Sequence, residues 1–83
     1  MKVQVRYFAS LREALGSGDA VELPQGSTVA GLRDLLLALG GRHAEVLARG
    51  RALRCALDQV MADEAALVPA GAEVAFFPPV TGG

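Results

Sequence analysis

Ser27-Thr28-Val29-Ala30-Gly31-Leu32-Arg33-Asp34-Leu35-Leu36-Leu37-Ala38-Leu39-Gly40-Gly41 is the stretch on which the fold turns. Ser27 or Thr28 offers a hydroxyl to the first free backbone N–H groups of a helix, and Gly40-Gly41 stops it. Between them Val29, Leu32, Leu35, Leu36 and Leu39 recur at helical spacing, which predicts a principal helix from about Val29 to Leu39 with a single apolar stripe. A stripe this short is what one helix needs to pack on a sheet, so it reads as core and not as a seam for a partner helix.

The flanks supply that sheet. On the N-terminal side, Lys2 to Phe8 alternates, with Val3, Val5 and Tyr7 on one face and Gln4, Arg6 and Phe8 on the other. Ser10-Leu11-Arg12-Glu13 has capping-box spacing and Gly16 can close the turn, so a short helix is expected from Leu11 to Leu15, with Glu13 as a cap and not a catalytic acid. Gly16-Ser17-Gly18-Asp19 is a loop; no Lys-Ser/Thr follows to make it a phosphate cradle. Ala20 to Leu23 is a second strand, with Val21 and Leu23 inward, ended by Pro24-Gln25-Gly26.

On the C-terminal side, His43 to Arg49 reads as a short helical segment closed by Gly50, with Val46 and Leu47 inward. Leu53 to Leu57 alternates, Leu53, Cys55 and Leu57 in and Arg54 and Ala56 out. Asp58-Gln59 turns the chain and Val60 to Ala62 returns. Pro69-Ala70-Gly71 is a further turn, and Ala72 to Phe77 is the last strand, with Val74 and Phe76 in and Ala75 and Phe77 out. If the first and last strands are neighbours, Phe8 and Phe77 share one exposed face, and Met61 extends the patch if its hairpin lies alongside. These three are the expected partner-binding residues.

At 83 residues the chain buries about 60% of its unfolded surface in one core, leaving no room for an elaborate site of its own. Its 8 basic and 9 acidic residues are scattered, for a net charge of −1, so no nucleic-acid or anionic-membrane partner is expected. Apolar runs fall far short of the roughly 18 residues of a membrane span. The start, Met1-Lys2-Val3-Gln4-Val5, lacks a signal-peptide apolar region and the one cysteine excludes an internal disulfide, which makes the cytoplasm the expected setting. His43, the only histidine, has no ligands at matching spacing, and Cys55 on a buried face without a base is a packing residue. Neither a bound cofactor nor a metal is expected.

The chemistry is expected at the end: Phe76-Phe77-Pro78-Pro79-Val80-Thr81-Gly82-Gly83. Pro78 and Pro79 fix φ and keep the chain extended, so 78–83 forms an arm reaching roughly 20 Å from a domain spanning 1–77. Gly82 and Gly83 lack Cβ atoms, which lets a terminal carboxylate pass down a narrow channel and be approached closely. Gly83 is the expected reactive residue, with Gly82, Thr81, Val80, Pro79 and Pro78 as the tail that delivers it.

Five strand signals with one main helix after the first two describe an α+β protein, a mixed sheet packed on one main helix; periodicity alone leaves several such arrangements open, and the order resembles that of the β-grasp (ubiquitin-like) proteins. Glu73-Val74-Ala75-Phe76-Phe77-Pro78-Pro79-Val80-Thr81-Gly82-Gly83, with Phe8-Ala9, Leu11-Arg12-Glu13, Thr28-Val29, Leu32 and Leu57-Asp58-Gln59, resembles the small-subunit family of molybdopterin synthase, ubiquitin-like sulfur carriers of molybdenum cofactor biosynthesis. The resemblance runs essentially end to end. It implies that Gly83 is adenylated by an ubiquitin-activating-like adenylyltransferase using ATP and converted to a thiocarboxylate by a sulfur donor. It further implies docking on a large synthase subunit in a heterotetramer, where the terminal sulfur attacks a cyclic pyranopterin monophosphate precursor to build the dithiolene of molybdopterin. Asp58 stands where relatives commonly have Asn, which keeps the turn and adds a charge near the interface. A sulfur carrier for thiamine or another metabolite, an ubiquitin-like protein modifier and a plain binding module are the alternative readings.

Overall fold

The structure, a computed structural model, describes residues 1–79. The expected tail residues Val80, Thr81, Gly82 and Gly83 lie outside the described residues. The element order is β1 (Lys2–Tyr7), α1 (Ser10–Leu15), β2 (Gly18–Glu22), α2 (Val29–Leu37), α3 (Gly41–Val46), β3 (Arg54–Leu57), β4 (Val60–Ala62) and β5 (Glu73–Phe77). The five strands form one sheet in the order β2-β1-β5-β3-β4. β1 and β5 are parallel at its centre and the remaining pairs are antiparallel. This is the mixed sheet and main helix of the β-grasp.

Period-two alternation turns Val3, Val5 and Tyr7 of β1 and Val74 and Phe76 of β5 to one face, where they are buried with Val29, Leu32 and Leu36 of α2 and with Leu11, Leu23, Leu47 and Cys55. Thr28 caps α2, its hydroxyl accepting from the Gly31 N–H at 3.1 Å. Parallel pairing at the centre demands a long crossover between β1 and β5, and everything from α1 to β4 is that crossover.

Several boundaries differ from the expectation. α2 ends at Leu37, and Leu39 is 58% exposed outside the core, because Gly40 and Gly41 with positive φ turn the chain directly into α3, earlier than the expected start at His43. Ser10 is the first residue of α1 and not its cap. The cap position falls on Ala9, with φ 55° and ψ −131°, and no side chain caps the helix, so the capping box is not formed. Gly16 has a positive φ of 88° but ψ −170°, so the chain leaves α1 extended and not in the left-handed helical conformation. β2 starts two residues early, at Gly18, where a Cβ would sit 2.1 Å from the Val5 carbonyl oxygen; glycine is what permits that approach.

Arg33 is the largest departure. It lies on α2 yet is only 3% exposed. Its guanidinium donates to the carbonyls of Leu47 (2.8 Å), Ala48 (2.6 Å) and Arg51 (3.0 Å) and to Glu64 Oε2 (2.7 Å). Arg49 donates to the other oxygen of Glu64 at 2.6 Å and also pairs with Asp34. The segment after α3 therefore closes onto α2 through one buried cation whose donors are used on three backbone carbonyls and one carboxylate.

Candidate functional site

The helices cover one face of the sheet and leave the other open. Cross-strand register assembles that open face row by row. Arg6 is opposite Ala75, Ala75 opposite Ala56, and Ala56 opposite Met61, so a single row runs β1-β5-β3-β4. One step toward the end of β5, Phe77 is opposite Arg54, and the Phe8 N–H donates to the Phe76 carbonyl at 3.2 Å, which holds Phe8 beside Phe77. Toward the other end, Gln4 is opposite Glu73.

Short side chains in the middle and long ones around them make a groove of about 490 Å³. Ala56 and Ala75 form its floor; Phe8, Met61 and Phe77 stand on its apolar side and Arg6, Gln59 and Glu73 on its polar side. Ala56 was expected to face outward, and it does so while remaining buried, as does Ala75, because a methyl group between larger neighbours cannot reach solvent. Phe8 is 41% exposed and Met61 56% exposed, an aromatic and a flexible thioether held open to water on the two sides of β5 and β3. The three expected partner-binding residues are thus brought together on a single face.

Polar contacts brace this face. The Arg6 Nη1 is 3.6 Å from Glu73 Oε2, and its guanidinium carbon lies 5.9 Å from the Phe8 ring centroid, within cation–π range. Asp58 and Gln59 form a two-residue loop with φ 46° and 70°, the signature of a type I′ hairpin turn. Asp58 also exchanges hydrogen bonds with Glu73, its N–H donating to the Glu73 carbonyl and its Oδ1 accepting from the Glu73 N–H, both at 2.9 Å. Asp58 thus pins the hairpin to β5 through an oxygen acceptor and its own N–H, and sets Gln59 at the rim of the groove.

Phe77 ends β5 and the chain continues through half-buried Pro78 and Pro79, so the groove lies at the root of the tail. The tail residues expected to act, Val80 to Gly83, are outside the described residues.

Elsewhere, titratable groups serve the core. The Cys55 Sγ–H donates to the Ala62 carbonyl at 3.2 Å, and burial pushes its thiol pKa above the ordinary value, the inert state expected. Asp19 Oδ2 accepts from the Tyr7 hydroxyl at 2.8 Å and pairs with His43 Nε2 at 2.9 Å, while the Tyr7 and His43 rings meet edge to face. The His43 hydrogen bond holds the Asp19 carboxyl below the ordinary range; burial pushes the Tyr7 hydroxyl far up. This cluster ties α3 to β1 and β2, a role the sequence reading did not give His43. Among the described residues no group of three or more His, Cys, Asp or Glu side chains could hold a metal. What the described site can do is bind: an apolar groove with a braced polar rim, placed where a terminal arm begins.

The profile of the ThiS family matches residues 5–83. The chain is 40% identical over 82 residues to the molybdopterin synthase sulfur carrier subunit of Escherichia coli, with 98% of this chain and 99% of that protein covered. It is 38% identical over 82 residues to the protein of the same name from Haemophilus influenzae, with the same coverage. Among solved structures it is similar to SAMP1 from Haloferax volcanii, with a TM-score of 0.79, 26% identity and all of both chains covered.

Proposed function

Because the chain belongs to the ThiS family, we propose that it is the sulfur carrier subunit of a molybdopterin synthase, working through a thiocarboxylate at Gly83. The observation that carries this reading is the match to two proteins of that name over 98% of the chain, joined to a family match that extends to Gly83 itself. A free carboxylate is a poor nucleophile and a poor electrophile. In the proposed sequence the Gly83 carboxylate attacks the α-phosphorus of ATP on an adenylyltransferase, releasing pyrophosphate. A sulfide-level sulfur from a donor then displaces AMP to leave the thiocarboxylate. That softer nucleophile attacks the cyclic pyranopterin monophosphate precursor in the large synthase subunit, within a heterotetramer in the cytoplasm.

The groove at the tail root supports the docking half of the proposal. Binding energy gathered at Phe8, Met61 and Phe77, remote from the reacting atom, positions residues 78–83 and makes sulfur transfer effectively intramolecular. The carrier then needs no catalytic side chain, in keeping with a described surface that offers a docking face. The test is mass spectrometry of the chain co-expressed with its activating enzyme. The expected product carries one sulfur in place of one oxygen at Gly83; an unchanged terminus refutes the proposal.

The likeness to SAMP1, a small archaeal modifier protein, favours a second reading in which Gly83 forms isopeptide bonds. Lysines of other proteins carrying Gly83 would support the modifier, and their absence beside a sulfur-loaded terminus supports the carrier.

A further inference from the structure

Sulfur is open to solvent at one place in this chain. There are two methionines and one cysteine. Met1 packs against the core with its side chain 5% exposed. Cys55 is 4% exposed, its Sγ–H donates to the Ala62 carbonyl, and burial pushes its pKa up, which keeps it as the thiol and not the reactive thiolate. Met61 differs on every count. It is 56% exposed on the outer strand β4, opposite Ala56, whose methyl group is too small to cover a thioether. It also stands on the apolar side of the groove with Phe8 and Phe77. As a thioether it is an apolar, adaptable contact. As a sulfoxide it would carry a polar oxygen that must be stripped of water whenever the groove is covered, among Phe8, Ala56, Ala75 and Phe77 side chains that have no donor to offer.

We propose that Met61 is a redox-sensitive site at which hydrogen peroxide reversibly switches off the face at the tail root. A lone pair on the thioether sulfur forms an S–O bond to one peroxide oxygen and the O–O bond breaks. The proton on the transferred oxygen passes to the departing hydroxide, which leaves as water. The sulfur is thereby oxidised to the sulfoxide and the peroxide reduced; methionine sulfoxide reductases reverse the step with a dithiol, which becomes a disulfide as the oxygen leaves in water. The inference rests on the sulfur-carrier reading, in which this face meets the large synthase subunit, and adds a condition to it: the carrier docks at full affinity only while Met61 is a thioether.

The test treats the full chain with dilute hydrogen peroxide, removes the excess with catalase, and then reads peptide masses and affinity for the large subunit of molybdopterin synthase. One oxygen atom is expected on Met61, with Met1 and Cys55 unchanged. Affinity is expected to fall about tenfold while the thermal melt remains that of the untreated chain. The two methionine sulfoxide reductases, one for each sulfoxide epimer, are expected to restore the untreated affinity. In Met61→Leu, read against that variant's own untreated affinity, the peroxide response is expected to be lost. Oxygen appearing first on Met1 or Cys55, undiminished affinity of the Met61 sulfoxide, or an equal peroxide response in Met61→Leu overturns this inference while the carrier reading stands. Failure of the untreated chain to bind the large subunit removes both.

Discussion

Arg33 shows how much one side chain can decide. A helical position that a polar residue normally turns to water is here 3% exposed, and its guanidinium joins three carbonyls and one carboxylate into a clasp around the segment after α3. Arg33→Ala leaves those carbonyls and a share of Glu64 unpaired in the interior, and is expected to cost about 3 kcal/mol, read as a lower midpoint in urea. Arg33→Lys is expected to recover little, because a point charge with three donors cannot reproduce the fork. Asp19 sets a second expectation at this scale. Its folded carboxyl titrates below the ordinary value of 3.8, so near that pH the native state binds fewer protons than the unfolded chain. The stabilisation is present above about pH 3.8 and is lost as pH falls through the lower folded value. Urea midpoints taken down the acid limb are expected to fall less steeply in Asp19→Asn than in wild type. Arg33 carried a faint signal in the sequence, four residues after Val29 and three before Leu36, on the apolar stripe. His43 and Asp19 carried none, since 24 residues separate them and only the packing of α3 brings them to 2.9 Å.

Elements were legible where period and punctuation agreed. The alternation of β1 and β5 and the Thr28 start of α2 depend on neighbours within a few residues, and each matches the structure. The start of α1 did not follow its local signal. Ser10 is drawn into the helix and the cap falls to Ala9 because the chain must leave β1 beside β5, with Phe8 already hydrogen-bonded to Phe76. The β3–β4 hairpin is the element most open to improvement. Asp58 and Gln59 both adopt positive φ, tolerable for Asp and unfavourable for Gln. Gln59→Gly is expected to stabilise the fold by about 0.5–1 kcal/mol, while Asp58→Ala, which loses the bond to the Glu73 N–H, destabilises it by about 1 kcal/mol; thermal melts check both.

At the scale of the molecule, the sheet separates two tasks. One face is consumed by the core and the other is left open, so the two can be perturbed independently. Phe8→Ala and Met61→Glu are expected to weaken binding to the large synthase subunit by more than tenfold, about 1.4 kcal/mol or more, while shifting stability by less than about 0.5 kcal/mol. Calorimetry of the complex and melting of the free chain measure the two effects separately; loss of stability equal to loss of binding would place these residues in the core instead. The sequence by itself determined the α+β class, the strands, the main helix and the inert cysteine. All of these follow from periodicity, turn chemistry and side-chain volume, which act over a few residues. The tertiary structure alone decided the pairing of β1 with β5 that sets Phe8 beside Phe77, the groove floor at Ala56 and Ala75, the burial of Arg33 and the Tyr7–Asp19–His43 cluster. Each depends on which strands and segments are neighbours in space, and pairing between residues tens of positions apart is set by closure of the whole core and by no local pattern.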